Sequence, residues 1–358
     1  REIKVGELST RDKALLPIIG ACGGMIVPVL LFSLICPSDP MMQRGMAIPM
    51  ATDIAFSLGV LSVFSKRVPV GLKIFLAALA VADDLGGIIV IALFYSSDID
   101  IMYLLLSALC AAAMILANIL KCHRKRFYVL FGLMLWYLML NSGIHATIAG
   151  VITAFCVPST LTKGTGYYLE RIRKNVNKFP VINIDEQRNT IVLTNDQVHT
   201  LKSIESAADK MISPLQDLED HLHFTINYVV IPLFAFANAG IDLSGMSIGT
   251  LFSGAGLAVM LGLVLGKFIG VFSFSWVAVR LNIVKLPTNT TWKAFASVCV
   301  ICGIGFTVSM FIADLSYSGL AEVGDALLDQ AKLGVLVGSV ISAVLGVILL
   351  SRTLPEEN

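Results

Sequence analysis

Charged residues are scarce in this chain of 358 residues, since Asp, Glu, Lys and Arg together make up only 14% of it. A soluble domain carries about 25% charged residues. Apolar residues reach 56%, and the mean hydropathy is +0.82. This composition excludes an ordinary soluble protein and predicts an all-α, polytopic protein of the lipid bilayer. Only residues 158–223 have a soluble-like composition, and no nucleic-acid partner is expected.

The chain also lacks a cysteine framework. Its seven cysteines have no regular spacing, which excludes a disulfide scaffold. Cys299 and Cys302 form a C-x-x-C pattern, but it lies in an apolar run without further metal ligands nearby. We therefore interpret the two as small residues in helix packing. Neither a cofactor nor an enzymatic activity is predicted.

Apolar runs of spanning length predict about ten membrane helices. They cover 14–35, 45–64, 70–95, 101–120, 127–141, 143–157, 224–240, 250–279, 294–313 and 327–351. Every second connecting loop is rich in Lys and Arg, so the positive-inside rule puts these loops and both chain ends in the cytoplasm. No signal peptide follows Arg1. We interpret this start as a point within a cytoplasmic loop.

Two groups of three spans form an inverted repeat, because the first group (14–95) starts in the cytoplasm and the second (250–351) starts on the opposite side. The middle helix of each group contains helix breakers, Pro49 in the first and a glycine-rich stretch in the second. The candidate residues of the second interruption are Gly303, Gly305 and Thr307. Breakers at corresponding positions of inverted repeats predict a transport site near the bilayer midplane.

The strongest functional signal is a pair of adjacent carboxylates, Asp83 and Asp84, in the middle of an apolar run. A charge at the bilayer centre costs about 2.5–3.5 kcal/mol, so such residues are functional candidates. Thr52 and Asp53 follow Pro49, and Asp53 is placed to offset the positive ends of the broken helices; a purely structural cap is the alternative. Lys267 would offset the negative ends or pair with a carboxylate, unless it reaches out to the membrane surface.

The polar segment 158–223 begins basic and ends acidic. Apolar residues at helical spacing between Val198 and Leu215 follow a candidate N-cap at Asn195–Asp196, which predicts one amphipathic cytoplasmic helix. The segment is either a solvated linker or a pH-responsive element. The second interpretation rests on Glu219 and His223, which lie close to a span, because histidine titrates near neutral pH.

Together these motifs resemble those of the NhaA-type bacterial sodium/proton antiporters, a family with inverted repeats. The resemblance rests on Ala51–Phe56, Ala82–Gly86, Ser142–Thr147, Pro232–Gly240, Gly266–Lys267 and Cys302–Thr307, and covers nearly the whole chain outside 158–218. It implies that Asp84 binds the cation together with Asp83, that Lys267 pairs with Asp83, and that Asp53 and Lys267 compensate the broken helices.

The resemblance also implies a role for Arg1, Glu2, Glu219 and His223, which match positions of the family's cytoplasmic pH-sensing cluster. Asp220 stands at a position where a histidine is common in the family. Two further helices precede the position of Arg1 in the family and carry much of its dimer contact, so a homodimer is expected to be weakened here. The expected organisation is a first repeat (1–95), three interface helices (96–157), a cytoplasmic loop (158–223), an interface helix (224–245) and the second repeat (246–358).

The expected function is the exchange of Na⁺ or Li⁺ for H⁺ across the bacterial inner membrane by alternating access. Proton and cation would compete for the same buried carboxylates, and transport would be electrogenic and pH-regulated. An intramembrane aspartyl protease also needs two membrane aspartates, but its Tyr-Asp and Gly-x-Gly-Asp contexts are missing around Asp53, Asp83 and Asp84. A sodium-coupled symporter and a channel are the remaining alternatives.

Overall fold

The computed structural model describes residues 11–36, 39–64, 67–94, 100–161, 163–179, 193–238, 240, 254–317 and 321–354. Within these ranges all regular structure is helical, and no strand is present. The prediction of an all-α protein is therefore confirmed. The chain divides into two compact units, one made of residues 98–227 and the other of 2–97 together with 228–358.

The first repeat contains a broken helix between two long ones. Its elements are α1 (Arg11–Ile35), α2 (Pro40–Gln43) with the 3₁₀ segment Arg44–Met50, α3 (Ile54–Ser62) and α4 (Val70–Phe94). The chain bends by 42° between the 3₁₀ segment and α3. Pro49 lies in the 3₁₀ segment, and the extended residues of the break come after it, at Ala51–Asp53.

The described part of the unit 98–227 contains three apolar helices and three helices of the polar segment. They are α5 (Ile101–Ile119), α6 (Lys125–Asn141), α7 (Thr147–Cys156), α8 (Thr165–Asn177), α9 (Asn195–Asp209) and α10 (Pro214–Thr225). Met114, Tyr128 and Leu135 are fully buried in the core between the apolar helices.

The polar segment corrects two details of the sequence analysis. The N-cap of α9 is Thr194, which forms a capping box with Gln197, so the predicted cap at Asn195–Asp196 was wrong by one residue. The predicted continuous helix is divided in two, because α10 begins with Pro214 at its first position and Ser213 as its N-cap. Proline cannot continue a helix that precedes it but is well suited to start one.

The second repeat again has a broken middle helix. It is preceded by a π-helical turn (Ile226–Val230) and α11 (Ile231–Asn238), which fall in the predicted interface helix. The elements of the repeat itself are α12 (Gly254–Leu261), a second π segment (Gly262–Gly266), α13 (Lys267–Arg280), α14 (Trp292–Ile301), α15 (Phe306–Tyr317) and α16 (Ala321–Thr353). The bend between α14 and α15 is 44°, close to that of the first repeat.

The described residues contain five helices that are long and apolar enough to cross a membrane, or up to seven spans if each bent pair counts as one. A polytopic helical membrane protein is therefore confirmed, although the sequence predicted about ten spans. Two of the predicted spans correspond to shorter helices, since α6 has 17 residues and α7 has 10. The span predicted at 224–240 lies in a helix that continues from α10 through the π turn to Asn238, and it is not among the five. A helix needs about 20 residues to cross the hydrocarbon core.

The two repeats touch most closely where α1 crosses α13. A Cβ atom added to Gly23 would collide with the carbonyl oxygen of Gly270, and one added to Gly270 would collide with that of Gly23. Small residues allow such a backbone-to-backbone approach in membrane helices. The crossing lies one helical turn from Lys267 and holds that residue deep inside the unit, with no exposed surface.

Candidate ion-binding site

The two broken helices meet at their breaks. The backbone N–H of Asp53 donates to the carbonyl oxygen of Ile304 at 2.7 Å, which joins the extended residues of the first break to the centre of the second. Thr52 and Asp53 are buried here, at 0% and 2% exposure. Backbone groups inside a bilayer have no water to bind, so each break must be satisfied by the protein itself.

Asp53 caps two helices at once. Its Oδ1 accepts from the N–H groups of Ala55 (3.1 Å) and Phe56 (3.2 Å) at the start of α3. Its Oδ2 accepts from the N–H of Thr307 (3.0 Å) and from the Thr307 hydroxyl, at the start of α15. Each helix N-terminus carries about half a positive charge. One carboxylate therefore offsets both positive ends of the crossing, which belong to opposite repeats.

Thr52 connects the break to the carboxylate pair. Its hydroxyl lies 2.9 Å from the carbonyl oxygen of Cys302 and 2.8 Å from Oδ2 of Asp83. A hydroxyl carries a single proton, so it can donate to only one of these two acceptors at a time. When Asp83 is protonated it can donate to Thr52, which leaves the Thr52 proton for the carbonyl of Cys302.

Lys267 forms an ion pair with Oδ2 of Asp83, and both side chains are completely buried. The pair joins residues that are 184 positions apart in the sequence. The π segment that precedes Lys267 adds a residue to the helical turn and so sets the direction of its side chain; such segments are frequent at functional sites. Of the two roles considered for Lys267, the geometry favours pairing with a carboxylate.

Asp84 is half-buried and makes no ion pair within the described part of the chain. The Oδ1 atoms of Asp83 and Asp84 are both buried and have no hydrogen-bond partner among the described residues. Among the described charged residues of the crossing, only one charge is left without a counterpart. Asp53 is offset by two helix ends and Asp83 by Lys267, whereas the charge of Asp84 has no counterpart among them.

The glycines of the second break leave room for close neighbours. A Cβ atom on Gly303 would lie 2.5 Å from both the carbonyl oxygen of Leu263 and the hydroxyl of Ser342. The N–H groups of Gly305 and Phe306 donate to the Ser339 hydroxyl of α16, at 3.2 and 3.1 Å. The sequence analysis did not single out Ser339, because nothing in the pattern of α16 distinguishes it from other small residues.

The proposed pH-sensing residues are described only in part. Arg1 and Glu2 lie outside the described residues. Glu219 is half-buried and His223 exposed, both on α10, and the Nε2 atom of His223 lies 3.0 Å from Nδ2 of Asn227. On the same helix, Asp217 pairs with Lys125 (2.6 Å) and His221 (3.1 Å), a cluster that the sequence analysis missed.

No group of three or more His, Cys, Asp or Glu side chains in the described ranges could hold a metal ion together. A cation at Asp83 and Asp84 would therefore complete its shell with hydroxyl, backbone or water oxygens. Hard cations such as Na⁺ accept these ligands, as Ca²⁺ and Mg²⁺ do.

The Lys267–Asp83 pair yields a stability prediction. Lys267→Met leaves the Asp83 carboxylate buried without its partner, and breaking a buried pair costs about 3–5 kcal/mol. The double variant Lys267→Met/Asp83→Asn removes both charges and should recover a large part of this loss in thermal unfolding of the detergent-solubilised protein. A double variant as unstable as the sum of the two single variants would mean that the pair is not coupled.

Comparison with known proteins identifies the family. Residues 1–350 match the family described as Na⁺/H⁺ antiporter 1. A Na⁺/H⁺ antiporter NhaA of Bacteroides fragilis (strain YCH46) is 51% identical over 356 residues, which are 99% of this chain and 79% of that protein. The NhaA proteins of Phocaeicola vulgatus (49%) and Shewanella loihica (42%) match 100% of this chain and 78% of their own length. These proteins are transporters, so the protease alternative is set aside, and the chain belongs to the Na⁺/H⁺ antiporter 1 family.

Proposed function

We propose that this protein exchanges Na⁺ for H⁺ across a membrane, and that Asp83 and Asp84 bind both ions in turn. The observation that supports this most is the unmatched charge of Asp84 beside the paired Asp83, at the crossing of two broken helices. Asp84 is half-buried, and its Oδ1 atom is buried without a hydrogen-bond partner among the described residues, so its charge is unfavourable there without a counterpart. The site therefore needs one positive ion, and either a proton or a metal cation can supply that charge.

Competition for this charge makes the exchange obligatory. A dehydrated cation needs ionised carboxylates as ligands, whereas protonated carboxylates offer it little. When the site opens alternately to the two sides of the membrane, a cation that binds on one side displaces protons there, and protons displace the cation on the other. The geometry of the crossing is maintained by Thr52, Gly303, Gly305 and Thr307. The charges beside the ion site are balanced by Asp53 and Lys267.

The finer features of transport follow from the same site. We propose Li⁺ as an alternative cation, because it is also a hard ion that prefers oxygen ligands. If both carboxylates lose a proton for each cation, one net charge crosses per cycle, and a membrane potential of 100 mV would contribute about 2.3 kcal/mol. The alternation of basic loops supports an inner-membrane location with both chain ends in the cytoplasm. The family resemblance supports a homodimer.

Asp84→Asn should abolish Na⁺-driven proton movement in proteoliposomes, because it removes a ligand charge and a proton-binding group together. The matched control is Asp100→Asn. Asp100 caps α5 through the N–H groups of Met102 and Tyr103, and asparagine caps a helix equally well, so this variant should transport normally. The readout is the collapse of a pH gradient when Na⁺ or Li⁺ is added.

Near-normal exchange by Asp84→Asn at any pH between about 6 and 9 would refute the site assignment. In the native protein, Na⁺ uptake that leaves the pH gradient intact would favour a symporter or a channel. Both alternatives require Na⁺ movement that is not tied to protons.

We also propose that Glu219 and His223 adjust the pH dependence of transport. Both lie on α10, which follows the amphipathic helix α9 and leads towards the π-helical turn at Ile226–Val230. His223 is exposed to the surrounding water, and histidine is the side-chain type whose charge changes near neutral pH. A protonated His223 would add positive charge to an acidic helix that also carries Asp217, Glu219 and Asp220.

His223→Gln should shift the pH profile of exchange and leave the apparent Na⁺ affinity at the plateau unchanged. His199→Gln is the matched control, because His199 is also an exposed histidine, on α9. Its pH profile should equal that of the native protein. A His223→Gln variant with an unchanged pH profile and a weakened Na⁺ affinity would place this residue on the ion path and not in a sensor.

A further inference from the structure

Two serines occupy equivalent positions in the two repeats. Ser57 is the fourth residue of α3, and Ser309 is the fourth residue of α15. Both side chains are completely buried. Each serine lies at the same position in the helix that follows the break of its own repeat. The two serines are therefore related by the symmetry of the inverted repeats.

Each serine donates a hydrogen bond to a carbonyl of the opposite repeat. The Ser309 hydroxyl lies 2.8 Å from the carbonyl oxygen of Ile48, near the end of the 3₁₀ segment. The Ser57 hydroxyl lies 3.4 Å from the carbonyl oxygen of Ile301, the last residue of α14. The carbonyl of Ile301 also accepts from the backbone N–H of Ile304 at 3.0 Å, so Ser57 adds a second, longer hydrogen bond to it. A carbonyl oxygen has two lone pairs, and in a bilayer it cannot turn to water for the second one.

The two serine contacts provide hydrogen-bond donors for carbonyl groups at the crossing. Asp53 satisfies the N–H groups of both half-helices, but a carboxylate cannot donate to the carbonyl ends. Lys267 also lies in this site, but among the described residues the partner of its ammonium group is Asp83 and not a carbonyl. Hydroxyl groups can donate without adding charge, so they suit carbonyls that lie beside three carboxylates.

We infer that Ser57 and Ser309 form a reciprocal clasp that sets how the two broken helices cross. The serine clasp acts on the ion site through Thr52, whose hydroxyl must reach both the carbonyl of Cys302 and the carboxylate of Asp83. Cys302 directly follows the carbonyl that Ser57 holds. The two serines are therefore positioning residues, and their effect on transport rests on the proposed Na⁺/H⁺ exchange.

The clasp also accounts for a glycine of the second break. A Cβ atom on Gly305 would collide with the Ser309 hydroxyl oxygen. A side chain at this position would push the hydroxyl away from Ile48. Gly305 therefore has two effects: it weakens the helix, as the sequence predicts, and it leaves room for the Ser309 hydroxyl.

Ser309→Ala should raise the apparent KM for Na⁺ in proteoliposomes by about three- to tenfold, the range expected for one neutral hydrogen bond. The maximal rate should stay within about twofold, because the carboxylates themselves are unchanged. Ser57→Ala should have a smaller effect, since its hydrogen bond is longer, and the double variant should have the largest. Ser309→Thr and Ser309→Val introduce side chains of nearly the same shape, and only threonine keeps the hydroxyl group. A lower KM for Ser309→Thr than for Ser309→Val would therefore show that the hydroxyl group itself is needed.

Ser275→Ala is the matched control. Ser275 is fully buried on α13, and its hydroxyl has no hydrogen-bond partner among the described residues, so its removal should change neither KM nor rate. Equal KM values for the Ser309→Thr and Ser309→Val proteins would overturn the clasp. A Ser309→Ala protein that is indistinguishable from Ser275→Ala would overturn it as well.

A second measurement does not depend on transport. Amide hydrogen exchange in peptides that cover Cys302–Met310 should be faster in Ser309→Ala than in the native protein and unchanged in Ser275→Ala, because the start of α15 loses an anchor. Unchanged exchange in Ser309→Ala would overturn the clasp even if the protein transports Na⁺. Faster exchange in Ser309→Ala, together with a native protein that shows no Na⁺-driven proton movement, would support the clasp and refute the proposed function.

Discussion

The double capping by Asp53 is the interaction on which the site depends. Breaking a helix inside a bilayer exposes N–H and C=O groups that have no water to bind, so a break persists only where the protein satisfies it. Here the breaks of the two repeats satisfy one another. Asp53 accepts from the starts of both α3 and α15, and its own N–H donates to Ile304. Neither break is complete without the other, which explains why both lie at a single crossing.

The crossing determines which charges the site can hold. With Asp53 offset by two helix ends and Asp83 by Lys267, only the charge of Asp84 remains to be met among these residues. On the proposal that Asp83 and Asp84 bind the transported ions, a site that lacks one positive charge would accept either a proton or a cation and would be unfavourable while it stays empty. In the proposed exchange, the same electrostatic requirement would explain both the binding of the ions and the competition between them.

The sequence predicted what depends on residue type and spacing, and missed what depends on tertiary packing. Asp83 and Asp84 stand out because a charge inside an apolar run is costly, and Gly303 and Gly305 mark a break because glycine weakens a helix. The partner of Lys267 could be proposed only from the family resemblance, since the α1–α13 crossing that buries it is set by the contact between Gly23 and Gly270.

The sequence analysis missed three serines, Ser57, Ser309 and Ser339, because a serine in an apolar helix commonly bonds to its own preceding turn. The division between α9 and α10 was missed because the apolar spacing continues across it, although Pro214 and Ser213 are recognisable start signals.

Counting the protons released when Na⁺ binds tests the central claim most directly. Calorimetric titration of the solubilised protein with Na⁺, in two buffers of different ionisation enthalpy at one alkaline pH, gives the number of protons displaced per cation. Competition for Asp84 alone predicts about one proton, and competition for both carboxylates about two. Heats that do not depend on the buffer would mean that Na⁺ binds without displacing protons, and would contradict a shared site at Asp83 and Asp84.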